Sequence, residues 1–336
     1  MADNHFKSFV IRTFLGANDF QSMLNLFLLC QNIDRLDKVY TISSLEQELQ
    51  QLPNFDIKEQ LFFIQSKSNP IITGSICVNW RTDIDNNLIY EFHHWFVDPD
   101  KRVEGIEKLL LEEAEAWFIH NGKSHKYSGE KWVQTRIQST QTSQIKLLEE
   151  SGYTIHRRTV KMSRPTNLDL PVVSVPEGLV IRKPEPGEYL KVLTANDEAF
   201  HDLWGYSPKT EEQFNSWENS RFFQPEYWKV AWDQDQIAGM VLGYIDKEEN
   251  AVLNTRYGYT EEIAVLRPWR RRGIARWLLI ESIRMFQDLG MEKTVLSVDS
   301  QNQTGAYSFY IQMGYQPTNE FLYYRKPLPS FLSITN

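Results

Sequence analysis

Two adjacent carboxylates, Glu261 and Glu262, open an apolar segment that runs into Arg270-Arg271-Arg272, Gly273, Ile274 and Ala275. Ile263-Ala264-Val265 reads as a short buried strand, the arginines and Gly273 as a tight basic turn, and the residues after Gly273 as a long amphipathic helix. A strand, a glycine turn and a helix start make an anion site. The first backbone N–H groups of a helix have no intrahelical partner, and the macrodipole adds about half a positive charge there. Arg270, Arg271 and Arg272 add full charges at the same place. Successive strand side chains point to opposite faces, so only one of the two glutamates can look at a given reacting group, and Glu261 shares its face with Ile263 and Val265.

The surrounding chain supplies elements to hold this segment. The helix after Gly273 places Ala275, Leu278, Leu279, Ile283 and Phe286 on one face, and Leu289-Gly290 closes it. Thr294 to Val298 reads as a strand, and Ala306, Phe309, Tyr310 and Met313 line one face of a last helix that Gly314 ends. A final strand runs through Phe321-Leu322-Tyr323-Tyr324. Upstream, a helix from Pro186 through Phe200 leads to an aromatic-rich stretch, and two strands about Asp233-Gln234-Asp235-Gln236 form a hairpin.

The layout occurs twice. Val10-Ile11-Arg12 returns as Val180-Ile181-Arg182, Arg102-x-x-Gly105 parallels Arg270-x-x-Gly273, and Gly152-Tyr153 parallels Gly314-Tyr315. Three landmarks in one order argue for two copies of one fold. The first half reads as a hairpin (Leu61–Ile64 and Ile71–Val78 about Lys67-Ser68-Asn69-Pro70), a strand Leu88–Val97, and a helix from Val103 ended by Asn121-Gly122. Prolines 165, 171 and 176 with Gly178 mark a linker, so the expected division is a first domain over 1–164, a linker over 165–177, a second domain over 178–328 and a tail over 329–336.

A net charge of -8 argues against a dedicated nucleic-acid binder. Cys30 and Cys77 make no framework or CxxC pair, and His93 and His94 lack ligand spacing with other His or Cys, so no metal is expected. No stretch has the ~18 uninterrupted apolar residues of a membrane span, and the start has no secretory pattern. The expectation is a cytoplasmic protein without membrane partners, a monomer or a homodimer.

The second half resembles the GNAT superfamily of acyl-coenzyme A N-acetyltransferases. That family's pyrophosphate loop, R/Q-x-x-G-x-G/A, stands here as Arg270-x-x-Gly273-x-Ala275 after Ile263-x-Val265. Its second signature, an Asn followed by a helix that carries a Tyr and ends in Gly-aromatic, stands here as Asn302, Ala306, Tyr310 and Gly314-Tyr315. The tandem layout is similar to that of two-domain acetyltransferases such as the mycothiol synthases. The resemblance implies an α/β (mixed α+β) fold of two tandem GNAT-like domains, each a mixed, mostly antiparallel sheet flanked by helices. The first copy departs from the pattern: Glu107 replaces the small residue of the loop, where a carboxylate repels a pyrophosphate, and Leu148 falls where Tyr310 sits. The expected working copy is the second.

The resemblance further implies acetyl-CoA as co-substrate and a small-molecule or peptide amine as acceptor. Backbone around Arg271, Arg272, Gly273, Ile274 and Ala275 is then expected to cradle the pyrophosphate, Gly273 allowing close approach and Ala275 keeping room. Backbone of Ile263, Ala264 and Val265 is expected to pair with the pantetheine arm, and Asn302 to bond its amides unless it is a turn residue. Tyr310 matches the family's acid to the leaving thiolate, its other role being a core aromatic. Glu261 is the preferred base over Glu262, directly or through water, against the alternative of a solvated charge pair. Trp204, Tyr206, Trp217 and Trp228 lie in the stretch that covers the acceptor in that family, as pocket lining or as core, and Asp202 is able to attract an ammonium; no roles are assigned to them. A non-catalytic acyl-CoA-binding or sensing module is the alternative to an N-acetyltransferase.

Overall fold

The computed structural model describes residues 8–328, apart from 69, 84, 123–128, 175, 202, 205, 207–213, 215, 216 and 303. In chain order the first half supplies β1 (Phe9–Thr13), α1 (Asn18–Asp34), α2 (Ile42–Gln50), α3 (Ile57–Gln60), β2 (Leu61–Ser66), β3 (Ile72–Thr82), β4 (Leu88–Val97), α4 (Ile106–Gly122), β5 (Lys131–Gln138), α5 (Thr142–Glu150) and β6 (Thr154–Pro165). The second half follows with β7 (Leu179–Arg182), α6 (Tyr189–Phe200), β8 (Trp228–Asp233), β9 (Gln236–Tyr244), α7 (Lys247–Leu253), β10 (Tyr257–Val265), α8 (Ile274–Asp288), β11 (Lys293–Asp299), α9 (Ala306–Gln312) and β12 (Gln316–Pro327).

Two compact units result, one of residues 1–157 with 321–336 and one of 158–320. The sequence reading put 158–164 in the first domain and 321–328 in the second, and the structure exchanges them. Residues 159–165 of β6 pair antiparallel with β11 in the second unit, while residues 321–327 of β12 pair antiparallel with β5 in the first. A linker signal marks where a helix cannot form; it says nothing about which ladder the preceding strand joins.

In the first unit β1 to β5 lie side by side in sequence order and β12 follows β5. Only the β4/β5 pair is parallel. One face packs on α4, with Leu110, Ala114 and Phe118 against Ile76, Tyr90 and Phe92. The other packs on α1 and α2, with Met23, Phe27 and Leu45 against Phe63 and Cys77. The expected helix from Val103 begins later, because Pro99–Glu104 forms a 3-10 turn ended by Gly105 at φ 77°. Residues 14–60 and 131–138 carried no reading from sequence, and they form α1, α2, α3 and β5.

The second unit repeats the plan in the order β6, β11, β10, β9, β8, β7, again with one parallel pair, β10/β11. Alternation along β8 and β9 sends Trp228, Val230, Met240 and Leu242 toward α6, and Ala231, Ala238 and Val241 toward α8. Both faces are buried, which is why these strands read as continuous apolar runs. Helices on both faces leave a ligand one way into the sheet, between two strands. Among the described residues no helix is long and apolar enough to cross a membrane.

Candidate active site

The two parallel strands of the second unit part company. Their ladder covers only Tyr257–Tyr259 against Lys293–Val295, although β10 continues to Val265 and β11 to Asp299. A bulge turns β10 away: its register on β9 shifts between Glu261 and Ala264, and Glu262 sits at φ 48°. An extra residue in one strand bends it and sharpens the local twist. Gly239 on β9 accommodates the bend, since a Cβ there would lie 2.7 Å from the Ala264 carbonyl oxygen. Beyond Tyr259, the edge of β10 that faces β11 has no strand partner.

The gap is a cleft of about 1060 Å³ lined by both strands, the start of α8, the end of α6 and the inner face of α9. Of the residues singled out from sequence, Glu261, Glu262, Ile263, Ala264, Val265, Arg270, Arg271, Gly273, Ile274, Ala275, Asn302 and Tyr310 all line it. Gly273 is the N-cap of α8 at φ 80° with open space around its Cα, so the glycine is required by its backbone angle and not by crowding. Ala275 follows in the first turn.

Three placements differ from the sequence reading, those of Glu261, Arg270 and Arg272. The bulge breaks the strand alternation, so Glu261 does not share a face with Ile263 and Val265. Those two pack toward α8, whereas Glu261 faces Ser297 across the gap, whose backbone N–H and hydroxyl favour the charged carboxyl. Glu262 accepts from Asn196 Nδ2 of α6 at 2.8 Å. Arg270 turns its guanidinium back into the protein: Nε donates to the Val265 carbonyl at 2.9 Å and an Nη to the Ala199 carbonyl at 3.3 Å. It braces the loop against β10 and α6. Arg272 is exposed and does not line the cleft. Asn302 accepts from the Thr304 N–H at 2.8 Å through Oδ1, a local turn bond, and matches the turn residue that the sequence reading kept open.

Charge is sorted along the cleft. Arg271 and Arg276 stand at the start of α8, and Glu261, Glu262 and Asp299 on the strands. Burial, and then the neighbouring Glu262, push the Glu261 carboxyl up from 4.5 to about 8. Burial, and then Glu261, raise the Tyr310 phenol above its ordinary range, so it keeps its proton. A carboxyl poised near neutrality and a protonated phenol in one cleft have the chemistry that a base and an acid need. Thr260, Trp269, Arg276, Ser297, Asp299 and Phe309 also line the site and were not picked out from sequence. Arg276 was the legible one, directly after Ala275 in the first helical turn. Ser297 was not, because its role depends on a bulge in another strand.

Among the aromatics proposed for the acceptor side, Trp217 and Trp228 stack with centroids 5.6 Å apart inside the core under α6. Tyr206 donates to Asp197 at 2.7 Å. Asp202 lies outside the described residues.

The first unit has the same bulge, with His94 at φ 47° and a shifted register on β3. Beside it, buried side chains bond to the unit's own chain. Gln144 Nε2 donates to the Trp95 carbonyl at 2.7 Å, just past the bulge. Glu107, buried in the first turn of α4, accepts from Ser143 and lies 3.4 Å from Arg102 Nε. Arg102 is paired through both Nη atoms with Asp34, at 2.7 and 2.6 Å. Burial raises the Glu107 carboxyl.

Residues 191–315 match the model of the acetyltransferase (GNAT) family. A mycothiol acetyltransferase of Thermobispora bispora is 26% identical over 179 residues, 52% of this chain and 59% of that protein. An N-alpha-acetyltransferase 30 of Schizosaccharomyces pombe is 31% identical over 91 residues, 27% of this chain and 58% of that protein. The chain therefore spans less than two thirds of these curated relatives. A solved GCN5-related N-acetyltransferase from Sphaerobacter thermophilus superposes with a TM-score of 0.74 at 25% identity, over 96% of both chains. A tandem GNAT protein from the clavulanic acid biosynthesis pathway shares the fold at 12% identity, with a TM-score of 0.66 over 96% of this chain and 99% of that one. The chain carries an acetyltransferase domain of the GNAT family, within a fold that it shares with tandem GNAT proteins.

Proposed function

We infer that the second unit transfers the acetyl group of acetyl-CoA to an amine acceptor. The observation that carries this reading is the parted β10/β11 pair, which opens onto a helix start where Gly273 and Ala275 leave room and Arg271 and Arg276 supply charge. These residues fit the donor. The unladdered edge of Ile263 to Val265 offers backbone N–H and C=O groups to a chain of amides, and the first turn of α8 offers N–H groups to a pyrophosphate.

When bound, acetyl-CoA supplies a thioester as the activated acyl group. Glu261 takes a proton from the acceptor ammonium, directly or through one water, and leaves a neutral amine. The amine nitrogen bonds to the acetyl carbon as the carbon–sulfur bond breaks, Tyr310 gives its proton to the departing sulfur, and the proton that the new amide nitrogen sheds returns through water to the Tyr310 oxygen, while Glu261 releases its own to solvent. Glu262, held by Asn196, stays beside Glu261. Backbone donors of β10 beyond the bulge face the position of the acyl oxygen; one such donor is worth ~3 kcal/mol at a transition state. Fixing both reactants in one cleft supplies much of the rest.

The acceptor is a small-molecule or peptide amine. The names of the relatives point to different acceptors, and none is carried over. Incubation with acetyl-CoA and an amine panel, with release of free thiol monitored, tests the reading. No turnover together with no calorimetric binding of coenzyme A sinks it, whereas tight binding without thiol release supports a binding or sensing module.

A further inference from the structure

The Gly314-Tyr315 pair ends the second sequence signature, yet the chemistry above gives Tyr315 nothing to do. Its ring is fully buried beside Tyr310, with centroids 6.0 Å apart. Its hydroxyl lies 3.0 Å from Thr260 Oγ1 of β10 and 2.9 Å from Thr294 Oγ1 of β11, and both threonines are fully buried. Thr260 Oγ1 in turn donates to the Val295 carbonyl at 3.3 Å.

These bonds sit at one particular place. Val295 and Tyr259 form the last rung of the β10/β11 ladder. Beyond that rung the ladder stops and a side chain takes over: Thr260 donates to the carbonyl of Val295. The Tyr315 hydroxyl ties this side-chain rung to β11 a second time, through Thr294. The next residue on β10 is Glu261, the carboxyl assigned as base, which faces Ser297 across the gap.

We propose that Tyr315 is a positioning residue whose hydroxyl fixes the point at which β10 and β11 part, and through Thr260 the seat of Glu261 across the gap. This rests on the reading of Glu261 as the base. Truncating the hydroxyl leaves two buried threonine hydroxyls short of a partner, and buried groups without partners draw in water or shift. Either response lets the opening creep down the ladder and wets the Glu261 carboxyl. Its charged surroundings are Glu262 on β10 and Lys161 on β6, with the neutral phenols of Tyr310 and Tyr315 on the α9 side. None of these is changed in charge by Tyr315→Phe, so a shifted midpoint reports position and hydration.

The test is a carboxyl-carbon NMR titration of the ligand-free full chain, labelled at glutamate, with the Glu261 signal assigned by its absence in E261Q. Tyr315→Phe should lower the Glu261 midpoint by about one unit, a tenfold change in its ionisation constant. Thr294→Val removes the other anchor of the same hydroxyl from outside the cleft and should move it the same way; it decides the matter if Tyr315→Phe fails to fold. Tyr324→Phe removes a phenol from the other unit, where it donates to Glu149 at 3.0 Å, and should leave Glu261 unmoved. A Glu261 midpoint that is raised in the wild type and unchanged in both Tyr315→Phe and Thr294→Val overturns the proposal. An ordinary midpoint in the wild type instead overturns the base assignment beneath it.

Discussion

Replacing Glu261 by glutamine should make the protein more stable and less active, and the gain should depend on pH in a set way. Folding moves this carboxyl out of water and beside Glu262, raising its midpoint from 4.5 to about 8. One pH unit corresponds to about 1.4 kcal/mol. Ionising Glu261 in the folded protein therefore costs at most about 5 kcal/mol above pH ~8, a ceiling because the cleft admits water that screens the charge. The sign follows from proton counting. Between the two midpoints the folded chain holds a proton that the unfolded chain has released, so wild-type stability falls as pH rises from about 4.5 and the loss is complete above about 8. E261Q has no such proton. Its advantage should be near zero at about pH 4, reach up to about 3 kcal/mol at pH ~7, and level off at pH ~9. Urea denaturation of both proteins at these three values measures it. Equal stabilities across the range, or a less stable variant at pH ~9, refute a protonated, desolvated Glu261. In turnover the same group predicts a kcat/KM that climbs to a plateau above pH ~8, and E261Q should lose about 10²–10⁴-fold and lose that climb.

Tyr310→Phe should lower kcat by about 10²-fold or more while the calorimetric Kd for coenzyme A stays put; unchanged turnover removes Tyr310 from proton transfer. Ala275→Glu copies into the second unit the residue that Glu107 places at the start of α4, and it should abolish coenzyme A binding in calorimetry through like charge at the helix start. Retained binding would show that the anion sits elsewhere. Arg270→Ala should destabilise the fold by about 1 kcal/mol in urea, because two half-buried carbonyls lose a charged donor. Arg272→Ala should change neither stability nor coenzyme A affinity measurably, and a large loss of affinity would return Arg272 to the binding set.

Local elements were legible where one periodicity ran undisturbed. The hairpin about Asp233–Gln236, the helix after Gly273 and the helix bearing Tyr310 could all be read, because each buries one stripe or both faces against its own unit. The segment from Asn18 to Asp34 was missed: its apolar residues spread round the helix, with Leu28, Leu29 and Ile33 exposed, so no clean face announces it. Charge alone misled at Arg270 and Arg272. Three adjacent arginines look equivalent in a string, yet Arg270 bonds inward to carbonyl groups, Arg271 stands exposed on the cleft and Arg272 is exposed away from it. The choice depends on where the turn points, which follows from Arg271 at φ 66° and Gly273 at φ 80°.

Sequence by itself determined the doubled plan, the glycine at the helix start, the pairing of Tyr310 with an upstream carboxylate, and the contrast between Ala275 and Glu107. These depend on residue type at short spacing, which the chain carries with it. The tertiary structure alone decided which partner each glutamate meets, which strands complete which unit, and that Gln144 and Glu107 of the first unit bond to its own chain. Each of these turns on a register. One bulged residue at Glu262 reverses the alternation that a strand otherwise imposes, and a register is a property of two paired strands and not of either one alone.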